Sequence, residues 1–175
     1  MKILAISGSG RAASTNTSML RALSAVAGAN DQIIVFDRIS DLPVFSPDLE
    51  AVVLPDPVQN FADFIRDSDG IIIASPEYVR AIPGGLKNAI DWLVSRDEII
   101  GKPIALMHAS HRGDDMLEQL RLVLSTVSTR FSADIFLRFD LMKRSPEEVL
   151  NLLQLPQNRR AMADFLGEFM GFCRP

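Results

Sequence analysis

Short apolar segments rich in β-branched residues alternate along this chain with longer segments whose apolar residues recur at helical spacing. The most informative short segment is Gly70–Ala74, where three consecutive isoleucines leave no polar face. A strand that is apolar on both faces is typical of the centre of a parallel sheet that helices cover on both sides. The alternation therefore predicts an α/β fold built on a parallel sheet.

Five strands are predicted, and a helical segment follows each of them. The predicted strands are Lys2–Ile6, Gln32–Phe36, Gly70–Ala74, Pro103–Met107 and a less regular Ala133–Phe139. The predicted helices are Asn16–Gly28, Val58–Ser68, Gly84–Ser95, Asp114–Val127, one that begins at the capping box Ser145-Pro146-Glu147-Glu148, and a last one at about Asn158–Phe172. This pattern fits a doubly wound three-layer sandwich, in which ligands bind beyond the C-terminal ends of the strands.

Composition excludes several classes of function. The chain has 18 basic and 22 acidic residues and a net charge of −4, which argues against a nucleic-acid partner because such partners need a basic face. No apolar run reaches the ~18 residues that span a bilayer, so no membrane partner is expected. A single cysteine, Cys173, excludes a disulfide framework. We expect a cytoplasmic protein in which residues 1–175 form one domain.

The segment Ser7–Thr17, between the first strand and its helix, holds hydroxyl, glycine, arginine and asparagine residues and no acid. It leads into a helix N-terminus, whose free N–H groups and dipole attract anions. Arg11 adds a planar guanidinium that suits phosphate oxygens. Neutral donors are the hydroxyls of Ser9, Ser14 and Thr17. The segment therefore predicts phosphate binding, and the alternative is a helix start capped by Ser14 or Asn16.

The same segment also satisfies the dinucleotide-binding fingerprint, as Gly8-x-Gly10-x-x-Ala13. Asp37 ends the second strand, where that fingerprint places an acid for the ribose hydroxyl. The P-loop pattern is excluded because no lysine follows the glycines. A small NAD(P)-binding protein of the Rossmann type therefore stays open at this point, although the chain has no second domain to hold a substrate.

Two further loops follow strands three and four. Ser75–Gly85 holds the only tyrosine, Tyr78, between two prolines, and this rigid arrangement suits either a wall for a planar ligand or a structural turn. His108–Asp115 contains both histidines and two adjacent aspartates. We predict no metal site there, because two loop histidines lack a third positioned ligand. The aspartates are expected to begin the next helix, where carboxylates suit the dipole.

Three blocks of sequence resemble the NADPH-dependent FMN reductases, a family of flavodoxin-like fold that includes quinone, azo-dye and chromate reductases. The blocks are ISGSGR…STN within Ile6–Asn16, SPEY…IPGGLKNAIDW within Ser75–Trp92, and GKP…QLR within Gly101–Arg121. Together they span about residues 1–127. The second block carries the most specific part of the resemblance.

The resemblance implies a five-stranded parallel sheet of order 2-1-3-4-5 with helices on both faces, and FMN at its C-terminal edge. Residues that match the phosphate site are Ser9, Arg11, Ser14, Asn16 and Thr17. Residues that match the flavin ring site are Pro76, Glu77 and Tyr78, with Ser110 approaching the ring from the loop after strand four. No catalytic side chain is implied, because the cofactor carries the chemistry.

The same resemblance implies NAD(P)H as the electron donor and a quinone, free flavin or similar small molecule as the acceptor. Hydride would pass from NAD(P)H to bound FMN, and then on to the acceptor, in a ping-pong cycle. Homodimers or homotetramers are also implied.

The sequence departs from the family pattern at Val79, where asparagine is common, and at Ala81, where serine is common. The loop after strand four is shorter and carries Asp114 and Asp115. Carboxylates beside the pyrimidine edge of the ring would oppose the anionic reduced flavin, so we expect either that they point away or that reduction is harder. A flavodoxin-like module that has lost FMN binding and acts non-catalytically is therefore a further alternative.

Overall fold

The computed structural model describes residues 1–174 and contains a five-stranded sheet of order β2-β1-β3-β4-β5. The strands are β1 Lys2–Ser7, β2 Gln32–Phe36, β3 Gly70–Ala74, β4 Ile104–His108 and β5 Phe131–Arg138. All neighbouring strands run parallel. This order confirms the predicted flavodoxin-like arrangement. It differs from the strand order of the Rossmann dinucleotide-binding fold, so that alternative is wrong.

Helices cover both faces of the sheet. They are α1 Thr15–Ser24, α2 Pro47–Val52, α3 Asp56–Arg66, α4 Gly84–Asp91, α5 Asp114–Val127, α6 Pro146–Leu153 and α7 Pro156–Cys173. One apolar core lies between the sheet and α3, α4 and α5, and the other lies between the sheet and α1, α6 and α7. Within residues 1–174, no helix has the length and apolar character needed to cross a bilayer.

The central strand β3 is buried along its whole length. Ile71 and Ile73 face one core, whereas Ile72 faces the other, as the three isoleucines predicted. At Gly70, an added Cβ would lie 2.5 Å from the sulfur of Cys173. The last helix therefore packs directly on the start of the central strand. Burial of the Cys173 thiol there raises its pKa to about 11.

Helix α1 ends four residues earlier than the predicted Asn16–Gly28, at Ser24. The Ser24 hydroxyl donates a hydrogen bond to the carbonyl of Arg21 at 2.7 Å. The next amide, that of Ala25, bonds three residues back to Ala22 at 3.2 Å. A serine that bonds a nearby carbonyl competes with the helical ladder, so the chain tightens into turns and leaves the helix.

The remaining differences concern boundaries and one short helix. Helix α2 was not predicted, because it buries none of its residues and so has no apolar stripe. Helix α7 begins at Pro156 rather than Asn158, since proline suits the first helical turn. The other predicted segments with shifted ends are Lys2–Ile6, Val58–Ser68, Gly84–Ser95, Pro103–Met107 and Ala133–Phe139.

Candidate functional site

A cavity of about 320 Å³ lies at the C-terminal edge of the sheet. Its walls come from the start of α1 and from three loops, which we call the third loop (75–83), the fourth loop (109–113) and the fifth loop (139–145). The first loop (8–14) joins β1 to α1 beside them. Strands β1 and β3 are neighbours here although β2 separates them in sequence. Such a switch point is where open α/β sheets bind ligands.

The predicted site residues divide into two groups. Those that line the cavity are Asn16, Pro76, Glu77 and Ser110. Those that lie outside its lining are Ser9, Arg11, Ser14, Thr17 and Tyr78. The second group consists of first-loop and α1 residues, with Tyr78 at half exposure in the third loop.

Buried hydroxyls organise the first loop. The Ser14 hydroxyl caps α1 by accepting a hydrogen bond from the Thr17 amide at 3.3 Å. The Thr17 hydroxyl shares a 2.8 Å hydrogen bond with that of Ser7. The Ser9 hydroxyl accepts from the Arg11 amide at 3.3 Å. Ser14, and not Asn16, is therefore the helix cap.

Asn16 carries a polar group that the protein leaves without a partner. Its side chain is buried and lines the cavity, yet its Oδ1 accepts no hydrogen bond from the residues described. A buried polar atom left unpaired costs about 1–3 kcal/mol. The two ends of a carboxamide are nearly isosteric, so a half-turn would present N–H donors instead. The Asn16 amide is therefore suited to a ligand at the start of α1.

The third loop contains a strained turn. Tyr78 and Ala81 exchange two backbone hydrogen bonds, at 3.2 and 3.0 Å. Val79 and Arg80, the two residues between them, have φ of 53° and 58°. Positive φ at both central positions is the type I′ turn that asparagine and glycine favour. A β-branched residue there costs about 1–3 kcal/mol, which the surrounding structure must offset.

Helix α5 holds this strained turn from the side. The Glu77 carboxylate accepts a hydrogen bond from the Met116 amide at 3.2 Å. The Arg80 carbonyl accepts one from the Gln119 side chain at 3.0 Å. The Arg80 guanidinium donates to the Asp115 carboxylate at 2.5 Å. Three contacts thus fix the third loop against α5.

Asp114 and Asp115 both turn toward arginines. Asp115 pairs with Arg80, and Asp114 accepts a hydrogen bond from Arg138 at 2.5 Å. These hydrogen bonds hold the pKa of each carboxyl below its ordinary value. Neither aspartate lines the cavity. Both also begin α5, as their position predicted.

The two histidines point to different partners. His108 is buried at the end of β4, and its Nε2 lies 2.5 Å from the Arg112 carbonyl. Burial lowers the pKa of His108. His111 pairs with Asp140 at 3.0 Å. Residues 1–174 contain no group of three side chains that could hold a metal ion.

The fourth loop closes tightly around His108. Gly113 has a φ of 101°, and an added Cβ would lie 2.7 Å from the Nε2 of His108. Only glycine fits both this backbone and this space.

The fifth loop supplies the lining residues that the sequence did not indicate. Leu141, Met142 and Lys143 form one wall of the cavity. Lys143 has a φ of 62°, and no glycine or asparagine in the sequence marks this left-handed position. The capping box at Ser145 predicted the helix that follows, but not the turn before it.

Asp37, the acid of the dinucleotide fingerprint, is engaged elsewhere. Its carboxylate accepts a hydrogen bond from Arg21 of α1 at 2.9 Å. The fingerprint acid therefore ties β2 to α1, which gives it a structural role.

The chain has relatives of known name. The sequence profile of the NADPH-dependent FMN reductase family matches residues 1–137. A quinone reductase of Escherichia coli (strain K12) is 34% identical over 113 residues, which cover 63% of this chain and 60% of that protein. An NAD(P)H-dependent FMN reductase of Pseudomonas aeruginosa is 38% identical over 112 residues, with the same 63% and 60% coverage. The chain thus spans 60% of the length of each of these relatives.

A solved structure shows the same fold. FerB, a flavoenzyme NAD(P)H:(acceptor) oxidoreductase from Paracoccus denitrificans, superposes with a TM-score of 0.68 at 24% identity, over 96% of this chain and 98% of that one. The residues that match the family profile include both the first loop and the third loop. The chain belongs to the NADPH-dependent FMN reductase family.

Proposed function

We propose that this protein is an FMN-dependent NAD(P)H oxidoreductase that reduces a quinone, a free flavin or a similar small acceptor. The observation that carries the proposal is the cavity at the switch point, with an acid-free helix N-terminus and the unpaired Asn16 amide on its wall. Membership of the family supports the class of reaction. The named activities of the relatives support the same class.

The residues present fit a phosphate at the start of α1. Free N–H groups of the first helical turn and the Arg11 guanidinium suit an anion, and no carboxylate between Ser7 and Thr17 opposes it. Asn16 and the hydroxyls of Ser9 and Ser14 would complete the site. Thr17 would join only by turning its hydroxyl hydrogen away from Ser7, with which it now shares a hydrogen bond.

The third and fourth loops would hold the flavin ring. Pro76 and Glu77 line the cavity beside Tyr78, and Ser110 lines it from the fourth loop. Three hydrogen bonds between α5 and the third loop hold this wall in place before any ligand arrives, which lowers the entropic cost of binding. When bound, FMN supplies the redox chemistry, accepting hydride from NAD(P)H and returning electrons to the acceptor in alternate steps. The protein would bind the flavin, orient its ring and shield it.

This proposal includes three expectations from the sequence. Residues 1–175 would form one FMN-binding domain. The protein would work in the cytoplasm, and it would assemble as a homodimer or homotetramer. All three stay predictions.

An absorbance spectrum of the purified protein, with and without added FMN, tests the proposal. We expect visible flavin bands that bleach when NADH or NADPH is added without oxygen, and that return when a quinone follows. A colourless protein that FMN cannot reconstitute would favour the non-catalytic alternative. Bound flavin that neither nucleotide reduces would contradict the proposed reaction while leaving the cofactor site intact.

A further inference from the structure

We propose that Lys143 binds the phosphate group of FMN, from a part of the chain that lies beyond the family match. The inference rests on the proposed function, because it adds a ligand to the same cofactor. The family profile ends at residue 137, whereas Lys143 lies in the fifth loop, between β5 and α6. It lines the same cavity as Thr15 and Asn16, the first two residues of α1.

The fifth loop is anchored on the α1 side of the sheet. Leu141 is fully buried in the core that also contains Met19 and Leu20 of α1. Its amide donates a hydrogen bond to the Ala109 carbonyl at 3.3 Å, which fixes the loop against the end of β4. Lys143 follows two residues later. It lines the cavity together with Thr15 and Asn16 of the helix N-terminus, where a phosphate is favoured.

The backbone at Lys143 is held in a conformation that lysine seldom adopts. A φ of 62° is a left-handed conformation that glycine adopts without penalty and that a lysine does not. The loop holds it there through a 3.4 Å hydrogen bond from the Arg144 amide to the Leu141 carbonyl, and through the capping box at Ser145. A strained residue on the wall of a binding cavity is a recognised mark of function.

The charges around the cavity favour an anion. None of the ion pairs among residues 1–174 involves Lys143 or Arg112, the two cations on its wall. Neighbouring carboxylates are already engaged, since Asp114 pairs with Arg138 and Asp140 pairs with His111. The cavity's own carboxylate, Glu77, accepts a backbone hydrogen bond from α5. The two cations on the cavity wall outnumber its one carboxylate, and this excess positive charge suits a phosphomonoester.

Comparing FMN with riboflavin tests the assignment, because riboflavin lacks the phosphate. Purified protein stripped of flavin is titrated with each compound, as wild type and as Lys143→Met and Lys143→Gly. We expect FMN to bind about tenfold more weakly or worse in both variants, the range of a charge-assisted hydrogen bond, with riboflavin affinity unchanged. Lys143→Gly should also melt no lower than wild type without ligand, because glycine relieves the left-handed strain.

Arg144→Met is the matched control. It removes the exposed cation of the next residue, and Arg144 does not line the cavity. It should leave FMN affinity unchanged. Unchanged FMN affinity in the Lys143 variants would overturn the assignment. So would an equal loss for FMN and riboflavin, or an equal loss in Arg144→Met. If the wild-type protein binds neither FMN nor riboflavin, the proposed function itself is wrong.

Discussion

The first and third loops flank the same cavity, yet they keep their shapes in opposite ways. At the ends of the first loop, the Ser14 hydroxyl caps α1, and the hydroxyls of Ser7 and Thr17 bond to each other. No residue from Ser7 to Thr17 has a positive φ. In the third loop, Val79 is 98% exposed and left-handed, and the contacts that hold the turn come from α5. The two ends of the first loop are thus fixed by buried hydroxyls, although residues 10–13 between them are exposed, whereas the third loop is fixed by a neighbouring helix.

This difference predicts how each loop responds to change. When a loop packs directly against the core, a substitution in it changes the stability of the whole domain, because interiors are close-packed. An exposed loop clamped from the side can open locally without unfolding the domain. The first loop is therefore suited to grip a constant group such as a phosphate. The third loop is exposed but held by α5, so substitutions there should leave the packed core undisturbed.

The largest effect is expected from Arg11→Ala. Arg11 is exposed and takes part in no ion pair within the described residues. Its loss should therefore weaken FMN by about 1.5–3 kcal/mol, the range for a charge-assisted bond, with little change in stability. Fluorescence titration measures the affinity. The control is Arg21→Ala, which removes a cation of α1 that is already paired with Asp37. FMN binding that survives Arg11→Ala unaltered would contradict the phosphate assignment.

Gly8→Ala should show the coupling of the first loop to the core. An added Cβ would lie 2.7 Å from the Ser75 hydroxyl and 2.8 Å from Leu86. Such overpacking lowers the free energy of unfolding by about 1–3 kcal/mol. Gly10→Ala is the control in the same loop, because its nearest neighbour would be 3.8 Å away. Chemical denaturation should separate the two variants, and equal stabilities would show that the first loop is not continuous with the core.

Val79→Asn should raise the free energy of unfolding, whereas Gly8→Ala should lower it. Asparagine tolerates the left-handed region, so the change relieves strain and raises the free energy of unfolding by about 1 kcal/mol. Val53→Asn is the matched control, because Val53 is similarly exposed but has an extended φ of −146°. The comparison is made by thermal denaturation. If both variants shift alike, the third loop stores no strain.

The smallest effect is expected from Asp115→Asn, which removes the Arg80 ion pair. The Arg80 hydrogen bond holds the pKa of Asp115 below its usual 3.8. A depressed folded-state pKa contributes stability that is present above the unfolded value and lost as pH falls through the folded one. The difference in melting temperature between wild type and variant should therefore be small at neutral pH and shrink as the pH falls below 3.8. High salt should also reduce it, since exposed pairs are screened. A difference that persists in acid would mean that Asp115 acts through another contact.

The sequence predicted the fold where burial is periodic. Helix α5 was placed at Asp114–Val127, its observed bounds, because its leucines recur along one face. Strand β3 was placed at its observed bounds as well, because both its faces are apolar. Helix α2 escaped prediction since it touches neither core. Trp92 is fully buried, and its Nε1 donates a hydrogen bond to the Pro43 carbonyl at 2.8 Å.

The family resemblance named nine site residues, of which four line the cavity and five lie outside its lining, and the roles of all nine stay predictions. Asn16, Pro76 and Ser110 were identified from their motifs, and they line the cavity. The strained turn at Val79 was missed because valine gives no signal for a left-handed backbone. Lys143 was missed for the same reason, and because its wall is brought to the site only by the packing of Leu141. Local sequence patterns do not show which distant loop the packing of the fold brings to the site.

The seating of α7 on Gly70 has a practical consequence for the single thiol of this protein. With a pKa of about 11, Cys173 carries almost no thiolate at neutral pH, and it is also buried. Alkylating reagents react with the thiolate, so they must wait until the C-terminal helix lifts from the sheet. The rate at which Cys173 is labelled therefore reports how often the C-terminal helix lifts from the sheet at this one site.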